Sequence, residues 1–310
     1  MAMTDIKVGL IGGSGLGAAL AEATEGRRHE IDTPFGRPSD TIVETSWAGL
    51  PVFFLSRHGP GHTLNPSAVP YRANIFALKQ LGCTHILASG AVGSLREEFR
   101  PRDLVVPDQV IDKTYQRAGT FYERAAVHVE FAEPFCPVLR RILMESRPEG
   151  SDIKIHGRGC YVAMEGPAFS TRAESLMHRL WGGDLIGMTA MPEAKLAKEA
   201  EISYALVALV TDYDCWRQAP AQPAAAAQPA QVADPQALLA EIIANLQAAT
   251  TNAIALLRRA VETIAANPSA VADCPARESL KLAIWSDKSR IPPEEVQRLG
   301  PLWMKYFQGH

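Results

Sequence analysis

The sequence predicts an α/β fold, a single domain with a central mixed, twisted β-sheet flanked by helices. Short apolar runs alternate with amphipathic segments along most of the 310 residues, as expected for strands covered by helices. One run, Ser203–Thr211, is apolar almost throughout, and such two-sided burial is typical of a central strand in a mixed or parallel sheet. The apolar fraction of 47% and the charged fraction of 21% are ordinary for a globular protein.

In the first half of the chain, apolar runs bounded by turn residues predict strands and one helix. The predicted strands are Ile6–Ile11, Thr41–Glu44, Val52–Leu55, His85–Ser89 and Leu104–Val110. The second and third of these flank Trp47–Leu50 and resemble a hairpin. Helical spacing of Ile75, Leu78 and Leu81, followed by Gly82, predicts a helix over Tyr71–Leu81.

In the second half, the same patterns predict a further strand region, a short strand and several helices. The strand regions are Lys154–Met164 and Asp184–Met188, and the helices are Pro134–Ser146, Arg172–Trp181, Pro192–Ala200 and Pro235–Ala266. Gln218–Gln231 consists mainly of Ala, Pro and Gln without charge, which indicates a mobile loop. We therefore predict one domain over residues 1–310, with this low-complexity loop and a C-terminal helical extension from about residue 235.

Charge and cysteine content narrow the class of protein. A net charge of −3 gives no general attraction to nucleic acid or to an anionic membrane. The N-terminus lacks the pattern of a secretory signal, and no window approaches the roughly 18 apolar residues of a membrane span. The five scattered cysteines form no C-x-x-C pair, which predicts reduced thiols of a cytoplasmic protein. We expect Cys136 and Cys215 to be buried thiols.

Two glycine-rich turns follow predicted strands. Gly12–Gly17 lets backbone N–H groups approach an anion, and the Ser14 hydroxyl adds a donor. Ala18 breaks the G-x-G-x-x-G pattern, so that a turn without a ligand remains an equal alternative for this segment. A second turn contains Gly90 and Ala91. Loops at strand ends are where an open α/β sheet binds its ligands.

Arg57 and His58 directly follow the strand Val52–Leu55. The planar fork of an arginine matches a phosphate, and a neighbouring histidine can donate to the same anion. A surface arginine beside a core histidine is the alternative. A metal site at His58 and His62 is disfavoured, because Gly59-Pro60-Gly61 interrupts any helix between them and no acidic third ligand is near.

Several ordered blocks of the chain resemble a known family. They are IGGSGLG, DTPFGRPSD, RHGPGHT, PYRANIFALKQLGCTH, GSLREE, AEPFCP, EGPAFSTRAE, GMTAMPEAKLAKEA and TDYDCW. The blocks are similar to those of the 5′-methylthioadenosine phosphorylases, in the trimeric purine nucleoside phosphorylase family. The similarity is nearly continuous over about residues 5–217. It implies the purine nucleoside phosphorylase fold and a homotrimer whose active site lies at the subunit interface.

The resemblance also implies a reaction in which methylthioadenosine and phosphate give adenine and 5-methylthioribose 1-phosphate. Such enzymes need no metal and no organic cofactor, because inorganic phosphate is the co-substrate. Matching positions imply phosphate ligands at Ser14, Arg57, His58, Gly90, Ala91 and Thr189. They imply sugar or base contacts at Phe169, Ser170, Met188, Asp212, Asp214 and His62, with His128 supplied by a neighbouring subunit.

The chemistry gives Asp212 a reason to lie at the purine. Cleavage of the glycosidic bond places negative charge on the departing base, and a desolvated carboxyl can carry a proton for its N7. A carboxylate also accepts from the 6-amino group of adenine, so Asp212 and Asp214 favour a 6-aminopurine. The alternative is that both residues cap a turn after the strand.

Some features leave the substrate open. Gly90 stands where animal-type methylthioadenosine phosphorylases carry a hydroxyl side chain, and the Ala/Pro/Gln loop replaces a more charged segment. A broader phosphorylase of adenosine, 5′-deoxyadenosine or 6-oxopurine nucleosides is therefore an alternative. A nucleosidase using water, a dinucleotide-binding oxidoreductase and a non-catalytic nucleotide-binding protein are further alternatives. Glu193–Glu201, with interspersed Lys and Glu, is expected to be a solvated helix face.

Overall fold

A computed structural model describes residues 6–13, 26–148, 154–217 and 235–307. Its strands are β1 (Val8–Gly12), β2 (Arg27–His29), β3 (Ile42–Trp47), β4 (Leu50–Ser56), β5 (His85–Ser94), β6 (Leu104–Val105), β7 (Gln109–Asp112), β8 (Ile155–His156), β9 (Cys160–Ala163), β10 (Leu185–Gly187) and β11 (Ser203–Asp212). Its helices are α1 (Tyr71–Gln80), α2 (Pro137–Glu145), α3 (Arg172–Leu180), α4 (Ala190–Glu199), α5 (Pro235–Ala266), α6 (Pro293–Arg298) and α7 (Gly300–Trp303). Short 3-10 turns join several of these elements.

The strands form one mixed sheet, which confirms the predicted fold class. Its order is β2-β3-β4-β1-β5-β10-β9-β7, and β11 pairs with β5 outside this path. Strands β4, β1, β5 and β11 run parallel to one another, whereas β10 pairs antiparallel with the last residues of β5. Because parallel strands end at the same edge of a sheet, the segments after β1, β4, β5 and β11 meet there.

Apolar layers cover both faces of the sheet. One buried cluster joins the sheet to α1, α4 and the C-terminal segment, and includes Ile75, Leu196 and Trp303. The other joins it to α2 and α5, through residues such as Leu139 and Leu256. Strand β11 contributes alternate side chains to the two clusters, so its nearly continuous apolar sequence is explained by burial on both faces.

Most predicted elements are confirmed, with boundaries that local residues explain. The hairpin β3–β4 turns at Ala48 and Gly49, both with positive φ, as a two-residue turn requires. The predicted strand Leu104–Val110 is instead two strands separated by Val106–Asp108, because Pro107 has no N–H for a ladder. The strand region Lys154–Met164 is likewise divided into β8 and β9. The predicted loop at 218–231 lies outside the described residues.

The prediction of a solvated face over Glu193–Glu201 is wrong. Glu193, Lys198, Glu199 and Glu201 are all buried, because α4 packs between α1 and β11. Their polar atoms are bonded within the protein rather than to water; Glu201, for instance, accepts from the Tyr306 hydroxyl and pairs with Lys305. Within the described ranges, no helix has both the length and the apolar character needed to cross a membrane.

Candidate active site

A cavity of about 940 Å³ opens at the sheet edge where β4, β5 and β11 end. Most of the predicted site residues line it: Arg57, His58, His62, Gly90, Ala91, Phe169, Ser170, Met188, Thr189, Asp212 and Asp214. Gly13 also lines the cavity, while Ser14 lies outside the described residues. The chain thus brings together residues that are up to 157 positions apart in sequence, from Arg57 to Asp214.

Arg57 is fully buried and held by a second buried residue. Its Nε and Nη2 donate to the two carboxylate oxygens of Glu193, each at 2.7 Å. Nη1 donates to the Ser89 carbonyl at 2.8 Å. Although burial opposes the charge, the Glu193 carboxylate raises the pKa of Arg57 above its ordinary value. Within the described residues, three of the five guanidinium N–H groups are bonded, so one on Nη1 and one on Nη2 are available to a ligand.

Sequence reasoning missed Glu193, since an acidic residue in a charged helix carries no signal of burial. Its carboxylate also accepts from the Tyr204 hydroxyl at 2.8 Å. Tyr204 lies on β11 and is itself buried. The three side chains form a bonded group, as a buried ion pair requires for stability.

Close backbone approach explains the glycines beside Arg57. A Cβ on Gly13 would lie 3.3 Å from both Arg57 Nη1 and the Ser89 carbonyl oxygen. A Cβ on Gly90 would lie 3.2 Å from Thr189 Oγ1. The two turns, the arginine and the threonine hydroxyl therefore lie within a few ångströms, which is the arrangement expected around an anion.

His58 lies next to Arg57 and is buried at the cavity wall. Its Nδ1 bonds the Leu64 carbonyl at 2.8 Å, and its ring stacks on that of His62 with 4.2 Å between centroids. Burial, followed by the positive charge of Arg57, lowers the pKa of His58 to about 4. The ring is therefore neutral at physiological pH.

A second buried arginine, Arg117, connects two walls of the cavity. It donates to the Met188 carbonyl at 2.5 Å and to the Met191 carbonyl at 2.7 Å. It also donates to the Glu165 carboxylate at 3.0 Å. Arg117 belongs to none of the motifs that the sequence analysis singled out, and no local pattern identifies it. Because it binds the Met188 carbonyl, it fixes the segment that carries Met188 and Thr189.

Glu165 anchors the segment that leads to Phe169 and Ser170. Its carboxylate accepts from Ser67 Oγ and from the backbone N–H groups of Tyr115, at 2.7 Å, and Gln116, at 3.2 Å. Desolvation opposes ionisation, but these bonds together with Arg117 lower the pKa of Glu165 to about 2.

The cavity wall beside Gly93 carries the two aspartates, since a Cβ there would lie 3.3 Å from Asp212 Oδ1 and 3.2 Å from Asp214 Cβ. Asp212 is half-buried, and its carboxylate accepts from the Thr211 hydroxyl and the Asp214 N–H, each at 2.7 Å. The turn-capping alternative is thus present in the structure, alongside exposure of the same carboxylate to the cavity. Asp214 accepts from Ser175 at 2.5 Å, and burial raises its pKa.

Other residues on this wall are more exposed. Phe169 is 85% exposed, and Ser170 is half-buried.

Of the two cysteines predicted to be buried, Cys136 is buried. The prediction for Cys215 is wrong, because this residue is only half-buried at the cavity wall. The first turns of α5 complete this end through Glu241, Ile242, Asn245 and Leu246. The helix Pro235–Ala266 is as predicted, but nothing in the sequence indicated that its residues would line the cavity.

His128 is not among the residues that line this cavity. It is exposed, its N–H donates to the Ala283 carbonyl at 2.9 Å, and its ring lies against Trp285. Within one chain, the structure therefore separates His128 from the other predicted site residues.

Known proteins similar to this chain are phosphorylases, in agreement with a cavity that has groups suited to an anion. A model described as the phosphorylase superfamily matches residues 7–262. S-methyl-5′-thioadenosine phosphorylase of Synechocystis sp. is 44% identical over 98% of this chain and 89% of its own length. The enzyme of that name from Thermosynechococcus vestitus is 44% identical over 97% of this chain and 99% of its own.

Solved structures similar to this chain include two methylthioadenosine phosphorylases. A methylthioadenosine phosphorylase sourced from an antarctic soil metagenomic library has a TM-score of 0.81 at 43% identity, over 96% of this chain and 98% of its own. Methylthioadenosine phosphorylase from Schistosoma mansoni in complex with adenine has a TM-score of 0.78 at 34% identity, over 90% and 99% of the two chains.

Proposed function

The chain belongs to the phosphorylase superfamily, and on this basis we propose that it cleaves S-methyl-5′-thioadenosine with inorganic phosphate. The products are adenine and 5-methylthioribose 1-phosphate. One observation carries the proposal: a single cavity has a buried arginine beside Gly13 and Gly90 at one end, and paired aspartates beside Gly93, farther along β5, at the other. These are the groups needed for an anionic nucleophile and for a purine leaving group.

The reaction builds positive charge on the sugar and negative charge on the departing base. Phosphate held below the anomeric carbon stabilises the cation and then bonds to it, so its binding groups contribute position and electrostatics. On the other side, Asp212 neutralises the purine at N7. Asp214 and Asp212 together accept from the 6-amino group of adenine.

We assign phosphate binding to Ser14, Arg57, His58, Gly90, Ala91 and Thr189. Their support is the short distances among Gly13, Arg57, Gly90 and Thr189. Met188 contacts the ribose through its backbone N–H rather than its carbonyl, because Arg117 binds the carbonyl. Phe169 and Ser170 contact the base, and His62 lies near the 5′ substituent. Glu193 and Arg117 act as positioning residues for these groups.

Adenosine is the second candidate substrate. The relative from Schistosoma mansoni is titled an adenosine/methylthioadenosine phosphorylase. In this chain the wall formed by α5 mixes apolar Ile242 and Leu246 with polar Glu241 and Asn245, so a 5′-hydroxyl finds partners beside an apolar surface.

We propose a homotrimer in which His128 of one subunit completes the site of the next. Support comes from the exposed position of His128 and from its exposed apolar neighbours Leu282 and Trp285, because such patches mark interfaces. We place the enzyme in the cytoplasm, since its five cysteines are free thiols.

Release of the purine base from methylthioadenosine, adenosine and inosine (adenine from the first two, hypoxanthine from the third), each with and without phosphate, tests the activity. Phosphate-dependent release with the order methylthioadenosine, adenosine, inosine is expected. Release that is equal without phosphate would instead show a hydrolase. Sedimentation of wild type and His128→Ala, with the KM for nucleoside, tests the trimer; the variant should remain trimeric and bind nucleoside more weakly.

A further inference from the structure

Two hydrogen bonds fix the orientation and the tautomer of His58. Its Nδ1 lies 2.8 Å from the Leu64 carbonyl oxygen, and the Leu64 N–H donates to the His58 carbonyl at 3.0 Å. A carbonyl can only accept, so Nδ1 must carry the hydrogen. In the neutral ring, Nε2 then has a lone pair and no hydrogen. His58 presents an acceptor to the cavity that it lines.

The groups around the ring keep it neutral. Arg57 precedes His58 in the chain, His62 stacks on the ring, and the charge of Arg117 also acts on it. The carboxylate of Glu193 is bonded to Arg57 through both oxygens. Burial and then these positive neighbours lower the pKa of His58 to about 4, so a second proton on the ring is disfavoured at neutral pH.

From this geometry we infer that His58 accepts a hydrogen bond from the hydroxyl of the bound oxyanion. The inference rests on the proposed function, because it concerns the phosphate end of the same site. The anion taken is therefore one that keeps a proton at neutral pH, such as hydrogen phosphate or hydrogen arsenate. A tetrahedral dianion without a hydroxyl, such as sulfate, places an oxygen lone pair against Nε2.

Sulfate and phosphate are close in shape, and Arg57 with the backbone N–H groups serves both equally. Discrimination must then come from an acceptor, because a site that holds an acceptor rejects a ligand lacking the matching donor. Sulfate can bind well only if His58 first takes a proton from solvent. Its affinity should then rise by up to about tenfold for each unit of falling pH above the pKa of the ring.

The test measures competition by sulfate against phosphate in methylthioadenosine cleavage, with arsenate as a second proton-bearing anion. At about pH 8 we expect the inhibition constant of sulfate to exceed the KM for phosphate at least about tenfold. Arsenate should replace phosphate as nucleophile. As the pH falls towards 6, inhibition by sulfate should strengthen. Equal affinities of sulfate and phosphate at pH 8 would overturn the inference.

Two variants test whether His58 is the residue that discriminates phosphate from sulfate. In His58→Gln the side-chain amide can donate to either anion, so the sulfate-to-phosphate ratio should fall towards one and lose its pH dependence. In His62→Gln the bond from His58 Nδ1 to the Leu64 carbonyl remains, so sulfate should still bind more weakly than phosphate at pH 8, whatever the activity of the variant. A high ratio that survives His58→Gln would contradict the inference. Should that variant not fold, the pH dependence of sulfate inhibition in the wild type still decides.

Failure of the proposed function and failure of the inference about His58 give different experimental results. If adenine release needs no phosphate, the phosphorylase proposal fails before any competition is measured. If release needs phosphate but sulfate competes equally at every pH, only the role of His58 as an acceptor fails.

Discussion

The two ends of the cavity are built differently. At the end proposed to bind phosphate, called the phosphate end below, Arg57 and Glu193 are buried, and their charges are bonded to each other and to a backbone carbonyl. At the end proposed to bind the purine, called the purine end below, Asp212 is half-buried and Phe169 is almost entirely exposed. A buried charge is stable only when it is paired, so Glu193 holds the Arg57 guanidinium in one orientation. The purine end is more exposed in the single chain.

The largest effect should come from removing the charge that balances Arg57. Glu193→Ala leaves a buried guanidinium unpaired, so the free energy of unfolding should fall by about 3–5 kcal/mol. Chemical denaturation measures it. Glu145→Ala is the matched control, because Glu145 forms an exposed pair with Arg141, where the loss should be at most about 1 kcal/mol. If both variants lost the same free energy of unfolding, the buried Arg57–Glu193 pair would be no more important for stability than an exposed ion pair.

The next effect tests the purine end. Asp212→Asn removes the carboxyl proposed to neutralise N7, so kcat/KM for methylthioadenosine should fall about a hundredfold, or about 2.7 kcal/mol. Stability should change little, because the carboxylate is half-buried and an amide keeps its bond from the Asp214 N–H. The preference for adenosine over inosine should also decrease, since an amide can donate to a 6-oxopurine. An unchanged preference in steady-state kinetics would argue against base recognition by Asp212.

Acid stability of a matched variant should report on Glu165, whose buried carboxylate pairs with Arg117. The pKa of Glu165 is lowered from 4.5 to about 2, so its carboxylate contributes stability above pH 4.5 that is lost as the pH falls towards 2. Glu165→Gln should therefore be less stable than wild type at pH 7, by about 2 kcal/mol. The difference should narrow below about pH 4. Unfolding curves at several pH values measure it, and a difference that is constant from pH 7 to 3 would be inconsistent with this linkage.

The smallest effect concerns the glycine turn. In Gly90→Ala the added methyl lies 3.2 Å from Thr189 Oγ1, so the threonine hydroxyl must shift. The KM for phosphate should rise about threefold, or roughly 0.7 kcal/mol, with no change in the KM for nucleoside. Gly119→Ala is the control, because nothing lies within 4 Å of a Cβ there. If Gly90→Ala raised the KM for nucleoside as much as the KM for phosphate, Gly90 would not belong to the phosphate end.

The two ends also differ in how far sequence could predict them. Arg57, Gly90 and Asp212 follow strands, and strand ends can be predicted from apolar runs and turn residues. Glu193 and Arg117 could not be found in this way. Glu193 lies in a helix whose charged residues suggest a solvated face, and Arg117 lies in a segment without regular structure. Their importance follows from contacts across 136 positions, for Arg57 and Glu193, and 71 positions, for Arg117 and Met188.

The sequence by itself determined the local structure: the strands, the turns that end them, most helices, and the residue types able to bind phosphate and purine. Periodicity and turn chemistry act within a few residues, so they can be recognised in one chain. Only the tertiary structure decided which charges are buried and paired, which nitrogen of His58 carries its hydrogen, and that α5 forms a wall of the cavity. These depend on distances between segments far apart in sequence, which close packing of the folded chain alone sets.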